Sequence, residues 1–412
     1  MKKGFRLFIT ARAVSIFGDR VAGVVLPLAV LASTDSAISA GLVAAALQLP
    51  AVVAALHLGA LVDRFDRRFL MICADVVNAA AYLGIAAELV IADGRLSVLI
   101  ALALVAGLAD TVFTTAAGSY LPHLADEKQL MRANGLVEGS DAAATLAGPA
   151  IGGWLMQAFN TFTAFATNAA SFLVSAVMIA TLPPNRATPG EGEQADESVL
   201  AGLRLIVRDM RQRILLTAAA YMHLLAAVAF LPLLVRMRDE LGLGPQVIGL
   251  VIAAAGIGGL ISSLVIARWC ETRHWALLLA GVLAVNGAAT GALVLFDGAA
   301  WLAVAVLVLD GASALAFIIV AATRQRITLD HVRGRVLAAG GAVTALVRLV
   351  GVVAVGALVD AAGPNPVLAG LALAGIPFVL LLLFASRLPG FGRDGDAAGS
   401  TTTTTRQFVG ME

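Results

Sequence analysis

Apolar runs of about 20 residues, separated by short polar turns, recur from one end of the 412-residue chain to the other. At about 1.5 Å per helical residue, each run matches the roughly 30 Å hydrocarbon core of a bilayer. Helices satisfy their own backbone there, whereas a barrel would show alternating segments of about 10 residues. The pattern predicts helices over 7–32, 38–62, 69–92, 96–121, 137–158 and 162–182. Six more follow, over 214–237, 246–267, 274–296, 300–322, 336–361 and 366–387. The expected organisation is a six-helix bundle in 1–182, a linker in 183–213, a second six-helix bundle in 214–387 and a tail in 388–412. The linker is rich in Pro, Gly and Glu up to Glu197, and Ser198–Arg213 reads as an amphipathic surface helix. The run Thr401–Thr405 predicts disorder in the tail.

Composition narrows the class. Hydrophobic residues are 60% of the chain and charged residues 13%, too little polar surface for a water-soluble globule. Met1-Lys2-Lys3 before an apolar run resembles a signal peptide, but Arg12, Asp19 and Arg20 interrupt the apolar core, so a retained first span is expected. Charge placement sets the orientation. Twenty-two Lys and Arg fall on the side of the N-terminus, against Arg95, Arg236 and Arg238 on the other, while Arg12, Arg20 and Arg348 lie within spans. This bias predicts both termini and the linker in the cytoplasm, and an even number of spans. The expected class is an all-α membrane protein with twelve transmembrane helices in two pseudo-symmetric six-helix bundles.

The halves share local matches. Leu26-Pro27-Leu28 aligns with Leu231-Pro232-Leu233, and Arg132 with Arg335; at the second offset Gly148 falls on Gly351 and Gly153 on Gly356. Paired halves imply a cavity between them near the midplane and rocking about it.

Two motifs carry a family resemblance. Gly59-Ala60-Leu61-Val62-Asp63-Arg64-Phe65-Asp66-Arg67-Arg68 resembles the loop 2–3 signature of the major facilitator superfamily, with Asp66 where Gly is commoner. Gly59 would permit close helix approach. Asp63 can accept hydrogen bonds from a helix N-terminus or an arginine, making the loop, with Arg64, Arg67 and Arg68, a cytoplasmic gate. The resemblance implies that the facing element is the start of helix 11. Gly148-Pro149-Ala150-Ile151-Gly152-Gly153 in helix 5 resembles the motif of antiporter members, and Gly and Pro there allow a kink and tight packing. With Phe17-Gly18-Asp19-Arg20, Leu121-Pro122-His123-Leu124 and Val332-Arg333-Gly334-Arg335-Val336, the chain is similar to the branch of macrolide-efflux and enterobactin exporters, with lysophospholipid transporters close by. Helix 4 departs from many proton-coupled members: it carries Asp110 and lacks their midmembrane Arg. The resemblance implies a secondary transporter, and the helix 5 motif favours export of a drug, antibiotic, siderophore or other natural product. An uptake or lysophospholipid transporter, or a non-transporting accessory or receptor protein, is the alternative.

Ionisable groups inside spans are costly and point to function. Asp19, Arg20, Asp110, Asp310 and Arg348 fall near midplane, with His223 one to two turns into helix 7. The family's architecture places helices 1, 4, 7 and 10 around the cavity, each with one of Asp19, Asp110, His223 and Asp310. A desolvated carboxylate there can exchange a proton for substrate; Asp19 is the first candidate, then Asp110 or Asp310. Arg20 and Arg348 can hold a carboxylate or an anionic substrate group, and an Asp19–Arg348 pair is one internal possibility. Asp75 and Asp141 are expected to partner loop arginines, and His57, Asn78 and Asn286 to pack. Three midplane acids against two arginines lean towards amphipathic cations as substrates.

No nucleophile or metal-ligand pattern supports an enzyme or a metal site, and Cys73 and Cys270 suggest neither ligation nor a disulfide. The expected cofactor is none, the proton gradient being the driving force. Expected partners are a small-molecule substrate and the lipid bilayer, with no nucleic acid, for a monomer in a bacterial cytoplasmic membrane.

Overall fold

The computed structural model describes residues 3–62, 64–92, 94–124, 127–185, 196–269 and 275–387. The first half holds α1 (Lys3–Thr34), α2 (Ala37–Val62), α3 (Arg67–Val90), α4 (Leu96–Leu124), α5 (Glu127–Ala158) and α6 (Thr161–Ala180). After α7 (Asp196–Arg208), the second half holds α8 (Met210–Val228), α9 (Phe230–Val235), a π-helical turn (Arg236–Glu240), α10 (Pro245–Trp269) and α11 (Trp275–Leu295). It ends with α12 (Ala299–Ile327), α13 (Asp330–Ala362), α14 (Pro364–Ala374) and α15 (Ile376–Ala385). Ten helical stretches are long and apolar enough to cross a membrane, with Met210–Glu240 and Pro364–Ala385 each counting as one. With α2 and α5 they make a twelve-helix membrane protein of two six-helix bundles. We call the side on which α1 begins the arginine face and the other the distal face.

Local chemistry explains several boundaries. Asp66, the departure from the loop signature, is the N-cap of α3 and accepts a hydrogen bond from Phe69 N. Asp209 caps α8 through Arg211 N, so the amphipathic helix stops at Arg208 and the seventh span starts four residues earlier than hydropathy indicates. Pro232 lacks an N–H, and the seventh span breaks one turn before it, at Ala229; Pro377 and Gly375 do the same to the twelfth. On the arginine face α5 and α13 begin at Glu127 and Asp330, ahead of the expected 137 and 336. Residues 127–136 are polar but mostly good helix formers, so helix outruns hydrophobicity there.

The bundles repeat one packing plan. Gly148 of α5 sits against Arg20 Cβ and Val21 of α1, and its counterpart Gly351 of α13 sits against Leu224 and Val228 of α8. Gly153 meets the Pro245 carbonyl at the start of α10 in the other half, and Gly356 meets the backbone of Ala37 and Ile38 at the start of α2. At Gly148, Gly153 and Gly356 an added Cβ would strike backbone, and at Gly351 the Leu224 and Val228 side chains, which is why glycine stands there. The same offset relates two cross-half acceptors at the distal face, Gln157 and Asp360. Gln157 Oε1 accepts from Gln246 N at 3.0 Å, and Asp360 accepts from Ser36 Oγ, Ala37 N and Ile38 N at 2.8, 2.6 and 3.0 Å.

The three arginines of the distal face are each neutralised. Arg95 pairs with Glu88 at 3.0 Å, Arg238 with Asp35 at 3.1 Å, and the buried Arg236 with Asp297 at 2.6 Å while donating to the Phe296 and Val294 carbonyls.

Candidate functional site

A cavity of about 490 Å³ lies between the halves. Ala22, Gly23, Leu26 and Pro27 of α1 and Ala40–Gln48 of α2 contribute one wall, with Tyr82 of α3. The other wall comes from His223, Ala226, Phe230 and Leu231, from Phe317 of α12, and from Arg348 and Val352 of α13. Its lining is mainly apolar with a few convergent polar groups, the usual make-up of a small-molecule site. Gly41 against the Val352 carbonyl, Gly356 against Ala37, and the Asp360 cap on α2 close it towards the distal face.

Of the six proposed midplane groups, His223 and Arg348 line this cavity. The His223 ring lies 4.6 Å from that of Phe317, within electrostatic reach of Arg348 and Arg324. Asp310 borders a smaller pocket of about 110 Å³ that shares Ala226 and Phe230 with the first, and lies within electrostatic reach of Arg20. Asp19 sits one turn below Ala22 and Gly23 on the same side of α1. Its charged neighbours are Asp110, Asp75, Arg20 and Arg12. The sixth group, Arg20, is already engaged: it clamps Asp141 of α5 with Nε–Oδ1 at 3.0 Å and Nη2–Oδ2 at 2.7 Å.

Two expectations are thereby corrected. Asp19 does not pair with Arg348, because they stand on opposite walls and Arg348 makes no ion pair among the described residues. Asp141 partners a span arginine and not a loop arginine, since α1 and α5 cross tightly at Gly148 directly above the pair. Asp75 likewise has no loop partner among the described residues; it is buried between α3 and α6, facing Ser175, with both carboxylate oxygens unbonded.

Arg12, expected only as an arginine within the first span, joins the candidate site. It lies two turns from Asp19 on α1, stands 5.5 Å from the centroid of the Phe113 ring, and is the positive charge among Asp110, Asp19 and Asp75. The i, i+7 spacing of Arg12 and Asp19 was the available signal.

In the loop motif, Arg67 donates to the Ser119 carbonyl at 3.1 Å and Arg68 to the Ala180 carbonyl, tying α3 to α4 and α6, while Arg64 is exposed. Asp63 lies outside the described residues, as do the side-chain surroundings of Gly59. In the α5 motif, Gly148 and Gly152 pack on α1 and Gly153 on α10; Gly249 of α10 returns the contact onto the Pro149 carbonyl. The motif is therefore the seam between the halves.

Residues 8–352 match the sequence profile of the Major Facilitator Superfamily. The chain belongs to that superfamily. Among relatives, it is 28% identical to the multidrug efflux pump Tap of Mycolicibacterium fortuitum over 94% of this chain and 96% of that protein. It is 24% identical to the enterobactin exporter EntS of Shigella boydii, covering 67% of this chain and 66% of the exporter. Among solved structures, a bacterial homologue of the iron transporter ferroportin superposes with a TM-score of 0.73 at 16% identity, over 92% of this chain and 98% of that one. That likeness shows the major facilitator fold, in which α1, α4, α8 and α12 supply Asp19, Asp110, His223 and Asp310 of this chain.

Proposed function

We propose that this chain is a secondary active exporter. It carries small amphipathic molecules out across the cytoplasmic membrane by alternating access, in exchange for protons, as a monomer with both termini in the cytoplasm. The observation that carries the reading is the inter-half cavity shut towards the distal face, with Asp19 one turn from its wall and without an ion-pair partner among the described residues. An unpaired carboxylate in a span is costly unless a proton or a cationic group neutralises it. Proton and substrate then compete for one group, which is the condition for antiport. Arg12 beside Asp110 and Asp19 keeps the acids from repelling one another when ionised. Export is supported by the α5 seam and by the likeness to an efflux pump and a siderophore exporter. No cofactor enters this mechanism; the proton gradient supplies the energy.

The test uses everted vesicles carrying wild type, Asp19→Asn, Asp110→Asn or Asp310→Asn, with dye efflux and lumenal pH followed together. Asp19→Asn is expected to abolish ΔpH-driven accumulation. Unchanged, ΔpH-dependent transport in all three variants would sink the coupling site.

A further inference from the structure

The second-half wall of the cavity carries Arg348 and His223, while Asp19 of the first half lies one turn from the α1 wall. On the first half, Asp19 and Asp110 make no ion pair among the described residues, and Arg12 is the cation near both. Arg20 is spent on Asp141. On the second half, Arg348 lines the cavity with its Nε unbonded, His223 lies beside it, and the buried Arg324 keeps Nε and Nη2 unbonded. Among the described residues no Asp or Glu lines the cavity. Asp310 borders the neighbouring pocket, within electrostatic reach of Arg20. Between the two charged sets lie the apolar walls of α1, α2, α8 and α9, with Tyr82 and Gln48 as neutral polar groups. Tyr82 is the bridge: it lines the cavity and lies within electrostatic reach of Asp19 and Asp110.

Guanidinium and carboxylate groups left unpaired within spans are each expensive, and a single ligand bearing both signs would compensate both sets at once. We infer that the cavity recognises zwitterionic amphipaths, with the anionic group held by Arg348 and His223, the apolar body along α1, α2 and α8, and the cationic group reaching Asp19. This rests on the exporter reading and deepens it. The cationic end competes with the proton at Asp19, so exchange keeps its sign, while the anionic end is the selective anchor. A purely cationic molecule would meet Arg348 as repulsion. That revises the lean towards cations drawn from counting acids and arginines along the chain.

A matched set of probes tests it: 1-pyrenylalanine, its methyl ester and its N-acetyl derivative, which share one body and carry both charges, the positive alone or the negative alone. Binding to the purified full chain in phosphatidylcholine nanodiscs is read by energy transfer from tryptophan to pyrene. Wild type is expected to bind the zwitterion about tenfold more tightly than either derivative, the scale of one charge-assisted contact. Arg348→Gln should weaken the zwitterion and the N-acetyl derivative about tenfold and spare the ester, while Arg348→Lys restores them. Asp19→Asn should weaken the zwitterion and the ester and spare the N-acetyl derivative. His223→Gln gives a second, milder loss for the anionic end. Equal binding of all three probes, or a loss on Arg348→Gln that ignores probe charge, overturns the inference.

Replacing a third of the phosphatidylcholine by phosphatidylglycerol separates a solute from a lipid headgroup. Displacement of the probes by that lipid would overturn the substrate assignment. Efflux of the same probes from everted vesicles tests the exporter reading by itself. Charge-selective binding without ΔpH-driven efflux would sink export and leave the recognition standing; efflux of the ester alone would do the reverse.

Discussion

Removing the Asp360 side chain should loosen the distal closure, and by more than removing its symmetry mate Gln157. Asp360 joins α13 to the first turn of α2 through Ser36 Oγ at 2.8 Å, Ala37 N at 2.6 Å and Ile38 N at 3.0 Å. Gln157 joins α5 to α10 through Gln246 N alone, at 3.0 Å. Buried charged hydrogen bonds would contribute about 1.5–3 kcal/mol each, but Asp360 is exposed, so the scale for capping residues, about 0.5–2 kcal/mol, is the better guide. The negative charge at a helix N-terminus adds roughly 0.3–1 kcal/mol. Asp360→Ala should therefore shift the closed-to-open equilibrium by about 2 kcal/mol, or roughly 30-fold. Gln157→Ala removes one neutral bond, about 1 kcal/mol or roughly 5-fold. The assay places a cysteine at Ala44, which lines the cavity below the cap, in a Cys73→Ala, Cys270→Ala background. A membrane-impermeant maleimide added from the distal face then labels it at a rate proportional to the open fraction. Asp360→Asn, which keeps one acceptor, should fall between the two. Equal labelling of wild type and Asp360→Ala, or a larger effect from Gln157→Ala, would refute the reasoning.

Other expectations follow from the same packing. An alanine at Gly148 would put its Cβ 2.6 Å from that of Arg20, so Gly148→Ala should cost about 1–3 kcal/mol of thermal stability in detergent, while Gly139→Ala, with open space around it, should cost little. The Arg20–Asp141 clamp is bidentate but has 46% and 36% of its side chains exposed, so a double-mutant cycle on Arg20→Gln and Asp141→Asn should return no more than about 1 kcal/mol of coupling. Asp75→Asn exchanges a buried, unbonded carboxylate for a neutral amide and should raise the unfolding temperature; a fall would mean that the charge is needed where it stands.

Hydropathy located the spans because a bilayer imposes a length and a polarity that no tertiary contact overrides. It lost the ends of α5 and α13 on the arginine face, where a helix continues through polar residues that water and membrane tolerate equally. The Leu-Pro-Leu and glycine matches were visible as a repeat, but their meaning was not. Gly153 and Gly356 matter because each touches the other half, a contact between residues far apart in the chain. Asp141 as the partner of Arg20 was hidden for the same reason, 121 residues away on a helix whose rotation the sequence does not state. Extending the offset that pairs Gly153 with Gly356 would have set Gln157 against Asp360, and so exposed the two distal caps.

The symmetry separates what holds the protein together from what lets it work. Positions that match across the halves, such as Gly148 with Gly351 and Gly153 with Gly356, build the crossings on which the bundles must pivot alike. Positions that differ carry the charge. At the span 1 offset, Gly18, Asp19 and Arg20 stand against His223, Leu224 and Leu225; at the span 5 offset, Asp141 and Thr145 stand against Thr344 and Arg348. The positions of the Arg20–Asp141 clamp are thus held by Leu225 and Thr344 in the second half, and a cation stands one turn along α13 as Arg348, lining the cavity. Ancestral packing constrains both halves equally, so only a demand made by a bound molecule or by protons distinguishes them. Such a demand would account for Asp19 beside one wall and Arg348 on the other, where the two halves are otherwise packed alike.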